Sequence, residues 1–228
     1  MVVDPRRRQK KLERKAAKRK EQLRAFSQRN PTDVRERFQR SCSGPLVHSS
    51  ASSSVLSEGI GNVLLSRECG VGQVAFAVFL VDMYCLGVKN VIYGIRPHSQ
   101  VDDMSERLAT GHKLLRVKPE CARKLVEGAI EYAHNLGLPP HEDYSVAKAI
   151  LGSIDGALCP ETFEYGKDGK PLFIAGPNDG PERCRQIMAA LKSRQGPDGY
   201  HYLVPVLEDN PIIDPSTDDR IVRIEMED

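Results

Sequence analysis

No two of the six cysteines (Cys42, Cys69, Cys85, Cys121, Cys159, Cys184) lie closer than 16 residues, so the chain has no C-x-x-C pair and no zinc-type ligand spacing. Cys85 stands between Tyr84 and Leu86 and Cys121 beside Ala122, where a free thiol packs as a small hydrophobe. The expected setting is a reduced, cytoplasmic interior. Long apolar runs are lacking too: the longest, Val74 to Val81, falls far short of the roughly 20 residues that span a bilayer. The first forty residues hold no apolar stretch of signal-peptide type, and their acids Asp4, Glu13, Glu21, Asp33 and Glu36 are more than a mitochondrial transit peptide carries. No membrane association is expected.

Phosphate loops are missing as well. Gly59-Ile60-Gly61 has Leu64 where a dinucleotide loop needs a third glycine, and Gly166-Lys167-Asp168-Gly169-Lys170 is too short for a P-loop and reads as a hairpin turn. Aromatic residues make up only 6% of the chain, and those between Phe76 and Tyr84 are set in apolar sequence rather than among Arg and Lys, which excludes a stacking platform for bases. No cofactor and no metal site is expected.

What the chain does have is charge, unevenly placed. The net +2 of 228 residues splits into 15 Lys+Arg against 5 Asp+Glu in residues 1–40, 16 against 18 in residues 41–207, and 2 against 8 in residues 208–228. A dense run of like charge repels itself and is stabilised by opposite charge from elsewhere. Residues 1–40 therefore read as a basic arm built to meet a polyanion. The residues expected to meet it are Arg6, Arg7, Arg8, Lys10, Lys11, Arg14, Lys15, Lys18, Arg19 and Lys20. From Arg6 to Phe26 there is no Gly or Pro, which favours helix, but Leu12, Ala16, Leu23 and Phe26 make too thin a stripe to pack on a core, so the arm is disordered or helical according to whether its charge is neutralised. RNA is preferred over DNA because a short basic helix orders inside irregular RNA without a groove-reading fold.

Residues 41–59 are serine-rich with Gly and Pro and read as a linker. The core is expected over residues 60–206. A first hairpin runs from about Asn62 through the ECGVGQ turn into a long strand, apolar on both faces and so central in its sheet, with a third strand from Val88 to Tyr93. Helices are expected over 102–115, 119–136, 144–151 and 181–194, the second with Pro119 at its start and Gly137 as its stop. A second hairpin joins Thr162–Tyr165 to Leu172–Ala175, and a last strand covers Tyr200 to Val206. The fold class that follows is α+β: an antiparallel or mixed sheet built from two hairpins plus a C-terminal strand, with helices on one face. Residues 207–228 read as an acidic tail, either a solubility tail or a competitor of nucleic acid for the arm.

Within the core, Asp82 ends a buried strand, where apolar walls would raise its pKa and let it hold a metal or act as a base if Asp102, Asp103 or Glu106 converged on it. The competing account is a carboxylate accepting backbone N–H groups. Glu131 and His134, with Glu127 a turn earlier, make one Glu-x-x-His pair where di-iron bundles need two, and His141-Glu142-Asp143 reads as a helix cap. Three functions remain: an RNA- or ribonucleoprotein-associated binding protein, on a ribosome for example, anchored by its arm and with its core meeting a protein partner; a metal-dependent hydrolase or nuclease with Asp82 in its site and the arm used for localisation; and a protein–protein interaction module whose arm binds an acidic protein.

Overall fold

A computed structural model describes residues 31–204, apart from 110 and 178, and the chain divides after Arg40 into two units. Of the first unit only helix α1 (Pro31–Ser41) is described; Asp33 in its first turn and Arg40 in its last both complement the helix dipole.

The second unit is α+β. Its main sheet has five strands, β1 (Leu46–Ser52), β2 (Ile60–Gly70), β3 (Gln73–Asp82), β4 (Gly87–Pro97) and β5 (Leu114–Arg116), in the order β4-β3-β2-β1-β5 and antiparallel throughout. β2 and β3 form the expected hairpin, turning at Gly70-Val71-Gly72 with Gly72 at φ +68°. β3 is buried without a break from Val74 to Phe79, as a central strand must be when both faces are covered. Gly87, at φ +66°, starts β4 where the backbone of helix α4 (Pro119–Asn135) comes close; a Cβ there would lie 2.9 Å from the Ala129 carbonyl oxygen.

The serine-rich segment is not a linker. Residues 46–52 form β1, an inner strand with Ser50 opposite Leu64 on one side and Arg116 on the other, and Ser53–Ser57 form a short helix, α2. Serine is a poor strand former alone, but a strand with ladders on both sides takes its stability from neighbours rather than from its own side chains. The small Ser49, Ser52 and Ser54 are buried, and a Cβ on Gly61 would fall 2.6 Å from Ser54 Oγ and 3.0 Å from Ser52 Cβ.

Helices cover both faces of the sheet, not one. On one face Val101 of α3 (His98–Leu108) packs on Leu64, Val74, Phe76 and Val78, with Met104 and Leu108 beside it. The opposite face, carrying Phe79 and Arg67, meets α4, the short helix α5 (Tyr144–Ala147) and the 3-10 turn Lys148–Leu151 that continues it; Tyr144 meets Phe79 edge-on at 6.0 Å. Burial of β2 and β3 on both sides requires this arrangement.

The second hairpin does not form. The turn is present, with Asp168 and Gly169 at positive φ and Lys167 and Lys170 exchanging backbone hydrogen bonds, but Thr162–Tyr165 is irregular. β6 (Leu172–Ile174) instead pairs in parallel with β7 (His201–Leu203), and α6 (Pro181–Gln195) makes the crossover. Phe173, Cys184, Ile187, Leu191 and Tyr200 close a second core against Cys85, Leu86, Ala133 and Leu136. Burying Phe173 beneath α6 outweighs the local turn signal. No helix among the described residues is long and apolar enough to cross a membrane.

Candidate functional site

Asp82 sits at the last position of β3, opposite Ile60 and Gly87, and is almost fully buried. Its Oδ1 accepts the N–H groups of Tyr84 (2.9 Å) and Cys85 (3.0 Å), closing the turn into β4. Burial raises its pKa to about 6, against the opposing pull of Lys89 and of those backbone donors. Asp102, Asp103 and Glu106 do not converge on it. They lie on α3, and Asp102 reaches the sheet beside Ser66, which stands opposite Phe76, six residues and about 20 Å along β3 from Asp82. Among the described residues no group of three His, Cys, Asp or Glu side chains is placed to hold a metal.

Lys89, near the start of β4, is committed elsewhere. Its Nζ donates to Asp179 Oδ2 at 2.9 Å in a mostly buried pair, and the same oxygen accepts the Gly176 N–H. Burial raises the Asp179 pKa, but the Gly176 N–H, Lys89 and Arg183 outweigh it and leave the carboxyl below its usual range. Asp179 therefore does not cap α6, whose N-cap is Gly180.

The structure assembles a constellation that sequence spacing did not indicate. His48 of β1 has Nδ1 2.7 Å from Ser66 Oγ of β2, and Nε2 3.2 Å from Asp102 Oδ1 of α3. A carboxylate at Nε2 selects the tautomer with its proton there, so Nδ1 accepts the Ser66 hydroxyl. These are the roles of a Ser-His-Asp triad, in which the base polarises the hydroxyl and the acid orients the base. Access differs. Ser66 is completely buried beneath α3, and its Oγ also accepts the His48 backbone N–H at 3.2 Å. No acyl group can approach it, and the arrangement ties β1, β2 and α3 together.

Arg67, the next residue of β2, points to the opposite face and is buried. Its guanidinium donates to the carbonyls of Ile150 (2.7 Å), Gly44 (2.9 Å) and Leu151 (3.2 Å). Burial lowers its pKa and pushes the neighbouring Cys42 thiol up to about 12. These bonds clamp the end of the 3-10 turn to the sheet.

A cleft of about 610 Å³ runs between α4 and residues 154–157, lined by Arg123, Glu127, Gly128, Glu131, Asp155 and Tyr165. Glu127 is held by Arg123 at 2.9 Å, Glu131 faces the cleft, and His134 is exposed, so among the described residues the Glu-x-x-His pair gathers no second ligand set. In the His141-Glu142-Asp143 run, His141 Nδ1 accepts the Asp143 N–H and Ser145 Oγ donates to the Glu142 carbonyl. The glycines of Gly59-Ile60-Gly61 are packing residues: a Cβ on Gly59 would lie 2.3 Å from the Tyr84 ring. Arg6, Arg7, Arg8, Lys10, Lys11, Arg14, Lys15, Lys18, Arg19 and Lys20 lie outside the described residues, as does the acidic segment 208–228.

No protein-family model, curated protein or solved structure matches this chain.

Proposed function

We propose that this protein binds RNA or a ribonucleoprotein particle through its basic N-terminal arm in the cytoplasm, and that the folded unit from Ser41 offers a surface to a protein partner. The observation that carries the reading is the placement of 15 Lys+Arg against 5 Asp+Glu in the first forty residues, beside a folded segment that is slightly acidic. Phosphate neutralisation by such a run releases counterions and makes binding steeply dependent on salt. The reading draws further support from the folded unit, where the best-ordered polar constellations are spent on structure: Ser66 is buried and Asp82 accepts two backbone N–H groups. The alternative, a metal-dependent hydrolase centred on Asp82, has only that carboxyl's burial and raised pKa in its favour.

The test is a salt titration of binding to a structured RNA, a duplex DNA and polyglutamate, comparing the full chain with a variant in which Arg6, Arg7, Arg8, Lys10 and Lys11 are replaced by Gln. The expected result is RNA binding whose log–log salt slope falls by about 4.5 in the variant, since each of the five phosphates left unneutralised lowers it by roughly 0.9. Equal competition by polyglutamate, or an unchanged slope, would reject the proposal.

A further inference from the structure

Cys121 at the start of α4 and Cys159 form a disulfide across 38 residues, while Cys42, Cys69, Cys85 and Cys184 are not disulfide-bonded. This corrects the expectation that Cys121 serves only as a packing residue. Disulfides persist in oxidising surroundings and are transient where thiol reductants are abundant. The question is what the bond holds.

It holds one strap, residues 152–165. Its only regular element is the 3-10 turn Gly156–Leu158, and its backbone hydrogen bonds are local, Ile154 to Leu151, Leu158 to Asp155 and Cys159 to Gly156. The single buried side chain in the strap is Cys159, and Leu158 beside it is 70% exposed. Ile154, Phe163 and Tyr165 are half-buried, with Tyr165 stacked on Tyr132 of α4 at 6.1 Å, so apart from Cys159 the strap is held by partial burial only.

Its non-covalent ties run to α4 through two cations and a phenol. Arg123 donates to the carbonyls of Gly152 and Ile154, and Lys124 Nζ to those of Cys159 (3.2 Å) and Glu161 (2.7 Å). Tyr165 closes the far end, donating to the Lys124 carbonyl (3.2 Å) and packing on Gly128, where a Cβ would lie 2.1 Å from its hydroxyl. Most of these bonds lie at or near the surface, where water competes for the same carbonyls. The strap forms one wall of the α4 cleft through Ile154, Asp155, Gly156 and Ala157.

We propose that the Cys121–Cys159 disulfide is a redox latch: oxidised, it pins the strap 152–165 against α4 and keeps the cleft narrow, and reduced by a dithiol, it releases the strap and opens the cleft. In the reducing step a thiolate of the dithiol attacks one sulfur, the Cys121–Cys159 bond breaks, and a mixed disulfide forms. The second thiol then displaces the protein sulfur. The protein gains two electrons and two protons as two thiols, and the dithiol leaves as its own disulfide.

Hydrogen exchange on the full chain, with and without dithiothreitol, tests this. Alkylation under denaturing conditions counts the thiols in each sample, four before reduction and six after. The expected result is exchange about tenfold or more faster across 152–165 on reduction, with β2 and β3 unchanged. A Cys121→Ser, Cys159→Ser double variant should show the fast rate whether or not the reductant is present. Six free thiols before reduction, unchanged exchange in the strap, or loosening that extends equally to β2 and β3 would each overturn the proposal.

Discussion

His48 Nδ1 and Ser66 Oγ face each other at 2.7 Å across β1 and β2, and the other ring nitrogen lies 3.2 Å from Asp102 on α3. The partners are those of a hydrolase triad with the two ring nitrogens exchanged, since there the serine bonds Nε2 and the aspartate Nδ1, and the hydroxyl is sealed under the helix. It should behave as a structural tie. Replacing Ser66 with Ala removes the partner of the ring and of the His48 backbone N–H, and should lower the unfolding free energy by about 1–3 kcal/mol in urea titrations. A serine-directed fluorophosphonate should leave the native protein unlabelled at Ser66. Labelling there would mean that α3 moves aside and that the hydroxyl is a nucleophile.

Asp82 gives the fold a pH dependence whose sign is fixed by burial. Its pKa in the folded chain is about 6, above the ordinary 3.8, so the folded state binds this proton more tightly than the unfolded state does. The stabilising contribution is complete below about pH 4 and is lost as the pH rises through 6. Asp82→Asn keeps an oxygen for the Tyr84 and Cys85 N–H groups and removes the buried charge. It should match the parent near pH 4 and be more stable by about 3 kcal/mol at pH 7, the free energy that separates a pKa of 3.8 from one of about 6. Denaturant midpoints at pH 4, 5, 6 and 7 measure it. A parent and variant running parallel across that range would show that the carboxyl does not titrate there.

The elements that could be read from the sequence are those whose signals are local. Pro119 and Gly137 bracket α4, and Ala122, Leu125, Val126, Ala129 and Ala133 lie on its buried face. The β2–β3 hairpin follows from a glycine turn between two apolar runs. Elements decided by distant partners could not be read. β1 is a strand because β2 and β5 flank it, although its own serines indicate a linker. The turn at Asp168-Gly169 is real, but Leu172–Ile174 takes its partner from residues 201–203, beyond an entire helix. The same holds for the sites. Asp82 could be singled out because burial of a strand end shows in the apolar run before it. His48, Ser66 and Asp102 stand 18 and 36 residues apart with no motif between them, and the 38-residue span from Cys121 to Cys159 matches no spacing rule. An Asp on a polar helix face and a His inside a serine run carry no signal until the sheet brings them together.

β4 is an edge strand of the main sheet and is 11 residues long, the geometry that invites pairing with a second chain. Three of its backbone groups are already occupied. The Val91 N–H donates to the side chain of Asn90 at 2.8 Å, the Ile95 carbonyl accepts from Arg96 Nη1 at 3.0 Å, and the Val88 carbonyl accepts the His141 N–H at 2.9 Å. Ile92, 53% exposed, lies between the first two. A neighbouring strand would have to displace both side chains and accept the positive charge of Arg96 at the end of the edge, so the edge is blocked from within its own sequence. Replacing Asn90 and Arg96 together with Val frees the two backbone groups and widens the apolar strip. The double variant should self-associate at concentrations where the parent sediments as a single species, and each single variant should fall between them. Sedimentation velocity across a concentration series decides the matter, and equal sedimentation of parent and double variant would mean that the edge is protected by something other than these two side chains.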